Sequence, residues 1–109
     1  MMRAYELMVI IDGDVEDPKA QSWMKFVTDE ITKVEGSVHG KPNWWGKRPF
    51  AYPINKKQAG YYLVVECLAN GGALDELERQ LRLADDIVRH KLIRLPEHEA
   101  ARRGMAVTA

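Results

Sequence analysis

The chain has 109 residues, enough for one hydrophobic core and not for two. It is 46% apolar and 29% charged, the profile of a soluble globular protein, and its 16 basic and 16 acidic residues cancel, so bulk charge names no partner. A lone Cys67 excludes an internal disulfide, the strongly apolar run Leu7 to Ile11 is too short to span a bilayer, and no leader pattern opens the chain; a reducing cytoplasm is expected.

The first element, RAYELMVII, predicts a strand with Tyr5, Leu7, Val9 and Ile11 on one face. Met8 and Ile10 make its second face apolar too, as in a central strand. DGDVED is turn chemistry, and Asp17 is expected to cap a helix whose first position is Pro18. Ala20, Trp23, Met24, Val27, Ile31 and Val34 recur at spacings of three and four along that helix, and Gly36 is its stop. Residues 37–54 lack helical period and carry Pro42, Pro49 and Pro53, so a strand here belongs at an edge or is broken by bulges. GYYLVVECLA predicts a strand with Tyr61, Leu63, Val65 and Cys67 on one face and Tyr62, Val64 and Glu66 on the other. NGG turns the chain into a second helix striped by Leu74, Leu77, Leu81 and Ala84, with Asp75, Glu76 and Glu78 in its first turn. IVRHKLIRL is the last strand, stopped by Pro96.

The order β-α-β-β-α-β predicts an α+β, ferredoxin-like fold: a four-stranded antiparallel sheet with two helices on one face. One domain is expected over residues 1–96, followed by a flexible C-terminal tail over 97–109, where no periodicity is evident. The helices leave one sheet face open. It is predicted to present Met8, Ile10, Tyr62, Val64 and Ile93, with charged residues at its margins, an apolar patch suited to a docking partner.

No catalytic constellation is found. His39, His90 and His98 have no nucleophile or second histidine at useful spacing, and His90 reads as a half-buried structural histidine beside Val88 and Leu92. Cys67 falls on the core face, Asp85 and Asp86 suit a turn or cap, and GSVHG lacks the spacing and lysine of a phosphate loop. No metal, cofactor, membrane or small-molecule substrate is expected, and no enzyme activity. Charge distribution says more. Residues 36–65 hold no Asp or Glu but contain Lys41, Lys47, Arg48, Lys56 and Lys57, whereas residues 12–35 are biased to acids. Within WWGKRPFAYPINKK these cations are interleaved with aromatic rings, a pattern that suits RNA, since cations neutralise phosphates and rings stack on bases. Trp45, Phe50 and Tyr52 also suit packing, with Phe50 and Tyr52 favoured as packing anchors. YYLVVECL does not match the aromatic motif of the common RNA-recognition modules.

MRAYE, WGKRPFAYPINKKQAGYYLV and LERQLRLADDIVRHKLIR together resemble the bacterial small-subunit ribosomal protein six family, from Met2 to about Leu95. The resemblance implies a structural role in the cytoplasmic ribosome, binding the central domain of small-subunit ribosomal RNA as a heterodimer with ribosomal protein eighteen. It further implies Arg3, Lys47, Arg48, Arg89 and Arg94 as RNA or partner contacts, and the open-face residues and tail as contacts to protein eighteen. Trp44, Pro49, His90 and Lys91 depart from the family pattern, and Met1 adds one residue at the start. The competing reading is a non-ribosomal, homodimeric ferredoxin-like module that holds a small ligand between sheets. A ligand module has no use for solvent-facing Lys47 and Arg48; an RNA protein needs them. A third reading, a small isomerase or phosphatase, lacks its constellation.

Overall fold

Strand β1 (Met2–Asp12) is the spine of the molecule, and the computed structural model describes residues 2–105. Its odd-numbered side chains Leu7, Val9 and Ile11 are fully buried beneath the helices. It lies between β3 (Lys57–Asn70) and β4 (Ile87–Arg94), antiparallel to both, and β2 (Ser37–Ile54) is the outer neighbour of β3. The strand order β2-β3-β1-β4 is that of the ferredoxin-like fold, with the proline-rich strand at an edge as its missing donors require.

Helix α1 (Asp17–Lys33) buries Ala20, Val27 and Ile31 against the sheet, with Trp23, Met24 and Val34 packed beside them. Its N-terminus sits one residue earlier than expected. Glu16 holds the cap position in extended backbone, its carbonyl accepting from Ala20 N–H (2.9 Å), and Asp17 is already helical. As the first helical residue, Asp17 makes no capping bond, and its carboxylate accepts from Gln21 Nε2 (2.8 Å).

The C-terminus of α1 stops at Gly36 by an unexpected route. Glu35, not Gly36, takes the left-handed conformation (φ 63°), and the amides of Glu35 and Gly36 donate to the carbonyls of Thr32 and Ile31 at 3.0 and 2.9 Å. This is a Schellman closure. Gly36 is needed for space: a Cβ there would lie 2.9 Å from Ile31 Cγ2 and from the Leu68 carbonyl oxygen.

Helix α2 (Asp75–Leu83) buries Leu77 and Leu81 on the same side of the sheet. His90, on the helix-covered face of β4, donates through Nε2 to Glu78 of α2 (3.1 Å), which makes it the half-buried structural histidine its strand position suggests. Asp86 accepts from Trp23 Nε1 (3.2 Å) and ties the α2–β4 turn to α1.

Residues 97–105 correct the expectation of a flexible tail. They form α3 (Glu97–Arg102) and fold back over the sheet face that α1 and α2 leave open. Ala100 and Met105 are buried with Ala4 and Leu95, and Leu68 packs against this cluster. The signals are local: Pro96 at the cap, Glu97 and Glu99 in the first turn, Arg102 in the last, and Gly104 beyond at φ 78°. Two apolar side chains, Ala100 and Met105, need no helical period to bury themselves, which is why the segment shows none. The remainder of the expected tail, residues 106–109, and Met1 lie outside the described residues.

Candidate nucleic-acid and protein interface

The uncovered sheet face is built in rows set by strand register. Arg89, Ile10 and Tyr62 lie abreast on β4, β1 and β3, as do Lys91, Met8 and Val64, then Ile93, Glu6 and Glu66. The expected patch is therefore assembled, but it is narrower than the sequence suggests. Ile10 and Val64 are 3% and 9% exposed, and Phe50 folds back from β2 onto Tyr62 and Gly60, beside Ile10. Met8, Tyr62 and Ile93 keep solvent contact.

The register of β2 against β3 is irregular at three places, between His39 and Asn43, Trp44 and Gly46, and Pro49 and Ile54, and these decide what this face shows. Trp44 pairs with Leu63 and Gly46 with Tyr62, which leaves Trp45 as the extra residue of a bulge whose glycine has φ 80°. A bulge reverses the alternation beyond it. Trp44 stacks on Tyr61 under the helices (5.6 Å between centroids), and Trp45, on the opposite face, stacks on Tyr62 (5.8 Å, planes 14° apart). The Arg48 guanidinium lies 5.8 Å over the Trp45 ring, within range of a cation–π contact. Trp45 is 49% exposed, so this ladder offers a flat aromatic surface to a partner.

The bulge also sets which of the next two cations takes which face, Lys47 the helix-covered one and Arg48 the uncovered one. Lys47 pairs with Tyr61 and reaches toward Gly13 at the β1–α1 turn. There it borders a cleft of about 320 Å³ lined by Asp12, Asp14, Lys56 and Lys57. Lys57 bridges Asp12 (3.0 Å) and Asp14 (3.7 Å). Partial burial pushes the Asp12 carboxyl up, but the Asp14 amide and Lys57 outweigh it and hold Asp12 below its ordinary range. Asn55 and Lys56, both at positive φ, make the hairpin turn, and Asn55 Nδ2 donates to the Val88 carbonyl (2.9 Å), clipping the hairpin tip to β4.

The five cations implied by the family resemblance fall into two groups. Lys47, Arg48 and Arg89 gather at the sheet end near Asp12, with Arg48 and Arg89 on the uncovered face. Arg3 and Arg94 lie toward the opposite end on the helix-covered face, beside Ala69 and Tyr5. Arg3 packs its guanidinium against Gly71, and its Nε is buried with no hydrogen-bond partner among the described residues. Among the described residues Lys47, Arg48, Arg89 and Lys91 form no ion pair, whereas Lys19, Lys25, Lys57, Arg79, Arg102 and Arg103 each do.

Of this surface, sequence reasoning left Trp45 open between stacking and packing and assigned Tyr52 to packing. Trp45 belongs to it as the bulge residue, a placement that the Trp-Gly dipeptide could have signalled. Tyr52, favoured as a packing anchor, is 72% exposed, since the irregular pairing between Pro49 and Ile54 carries it off the sheet. Cys67 is fully buried, and burial pushes its thiol up to about 11, so it is inert packing.

The model of the family described as Ribosomal protein S6 matches residues 4–94. The small ribosomal subunit protein bS6 of Paenarthrobacter aurescens is 44% identical over 98 residues, spanning 90% of this chain and 95% of its own. That of Acidothermus cellulolyticus is 40% identical over 93 residues, spanning 85% and 96%. Among solved structures, the 30S ribosomal protein S6 of Thermotoga maritima superposes with a TM-score of 0.84 at 30% identity, covering 95% of this chain and 97% of that one.

Proposed function

The chain belongs to the ribosomal protein S6 family, and from that premise we propose that it binds the central domain of small-subunit ribosomal RNA together with ribosomal protein S18. It acts as a structural component of the cytoplasmic small subunit rather than as an enzyme. The observation that carries this reading is the uncovered sheet face: a Trp45–Tyr62 ladder bordered by Arg48, Arg89 and Lys91, none of them neutralised from within the chain's described residues. The apolar strip of Met8, Tyr62 and Ile93 is the surface for S18, and the cations serve the RNA. A chain of zero net charge binds a polyanion weakly by itself, so a basic partner is part of the mechanism. Both Lys47 and Arg48 are exposed, which supports this reading over the homodimeric ligand module. Arg3 and Arg94, at the opposite sheet end, are proposed as peripheral RNA or partner contacts.

The test is binding to a central-domain RNA fragment with and without S18 across a salt series. Replacing Lys47 and Arg48 by alanine is expected to weaken assembly and lower the salt slope by roughly 1.5, the value for two lost phosphate contacts. An unchanged slope assigns both residues to solvated surface, and no binding with or without S18 refutes the proposal.

A further inference from the structure

The C-terminal strap lies on the very face that the proposed function assigns to S18. Glu6 and Glu66 stand directly opposite each other on β1 and β3, a like-charge pair that is unfavourable unless a cation sits between. Arg103 supplies it, donating through one terminal nitrogen to Glu6 (3.2 Å) and Glu66 (3.0 Å) and through Nε to Glu99 (2.8 Å). His39 Nε2 donates to the Arg103 carbonyl (3.0 Å) and closes the socket from β2. Little else holds the strap. A helix of six residues is far below the length that is stable alone, and its apolar anchor is the small cluster of Ala100 and Met105 on Ala4, Leu68 and Leu95. Segments with few buried contacts open locally long before the core does.

We propose that residues 97–105 are a displaceable cover over part of the S18-docking face, and that Arg103 holds the Glu6–Glu66 socket in place of a cationic side chain that the partner inserts on docking. This rests on the reading that S18 docks on this face. The strap keeps Ala4, Leu68 and Leu95 out of water in the free chain, and the two carboxylates reject any partner that releases the strap without bringing a cation of its own. Docking then exchanges one intramolecular guanidinium for an intermolecular one, and the apolar cluster is re-covered by the partner.

The experiment measures S18 affinity and amide exchange on the full chain, on Arg103→Ala and on a double variant, Glu6→Gln with Glu66→Gln. Arg103→Ala frees the socket, so it is expected to bind S18 about tenfold more tightly and to exchange the Gly104 and Met105 amides at least tenfold faster, with β3 unchanged. The double variant opens the strap as well but has lost the socket, and it is expected to show the faster exchange without the gain in affinity. Equal S18 binding by Arg103→Ala and the parent chain, or an equal gain by the double variant, overturns the exchange while leaving the docking reading in place. Unchanged strap amides in Arg103→Ala overturn the latch. If no variant binds S18, the docking reading fails and the cover fails with it.

Discussion

Glu99 shows how a single side chain can tie a peripheral element down. Its carboxylate accepts from Arg102 (2.6 Å to the terminal nitrogen) and from Arg103, and these bonds lower it from the ordinary 4.5 to about 2. A depressed acid contributes stability that is present above its unfolded value and lost as pH falls through its folded one. The strap is therefore expected to loosen between pH 4.5 and pH 2, with exchange at Met105 rising first, while the core, which buries no charged side chain among the described residues, holds. Strap protection that stays flat across that window removes Glu99 from the latch. The same segment marks where residue-level reading stopped. Pro96, Glu97, Glu99, Arg102 and Gly104 spell a short helix, yet its anchors, Glu6 and Glu66, lie 97 and 37 positions from Arg103, and no local pattern joins them.

Elements were legible where a period ran long enough to be read. The 17 residues of α1 declare their buried face through Ala20, Val27 and Ile31, and β1 and β3 declare theirs by alternation. Ends were less legible, because a cap is settled by which donor and acceptor meet. Gly36 suggested a left-handed stop, but close packing against Leu68 claims that glycine and pushes the positive φ onto Glu35. Glu35→Gly is accordingly expected to stabilise the protein by about 1 kcal/mol, since a side chain at positive φ is disfavoured by about that amount. Urea unfolding would show it as a raised midpoint at unchanged slope, and a lowered midpoint would mean that the Glu35 side chain has a stabilising role. Within β2 the prolines announced an edge or bulges, and both are found, but only the Trp45–Gly46 dipeptide carried a signal for where the bulge falls.

At the scale of the molecule, the chain separates two surfaces. Along α1 Lys19, Lys25 and Lys33 offset Asp17, Asp29 and Glu30, whereas Arg48, Arg89 and Lys91 border the uncovered sheet face and form no ion pair among the described residues. That arrangement directs a polyanion to one side. Trp45 reports on it, being the exposed member of three tryptophans. Acrylamide quenching of the free chain is expected to be dominated by Trp45 and to fall when S18 is added, as the ladder is covered. Quenching that S18 leaves unchanged would place the docking surface elsewhere.

The sequence by itself determined the element order, the edge position of the proline-rich strand, the buried faces and the family, because periodicity and short motifs are properties of neighbours in the chain. Only the tertiary structure decided which face each cation of the Lys47–Arg48 pair occupies, how much of the apolar sheet face stays uncovered, and that Arg103 lies between Glu6 and Glu66. Each depends on register. One extra residue at Trp45 sets the faces that Lys47 and Arg48 take, and the two carboxylates of the Arg103 socket adjoin only through the pairing of β1 with β3.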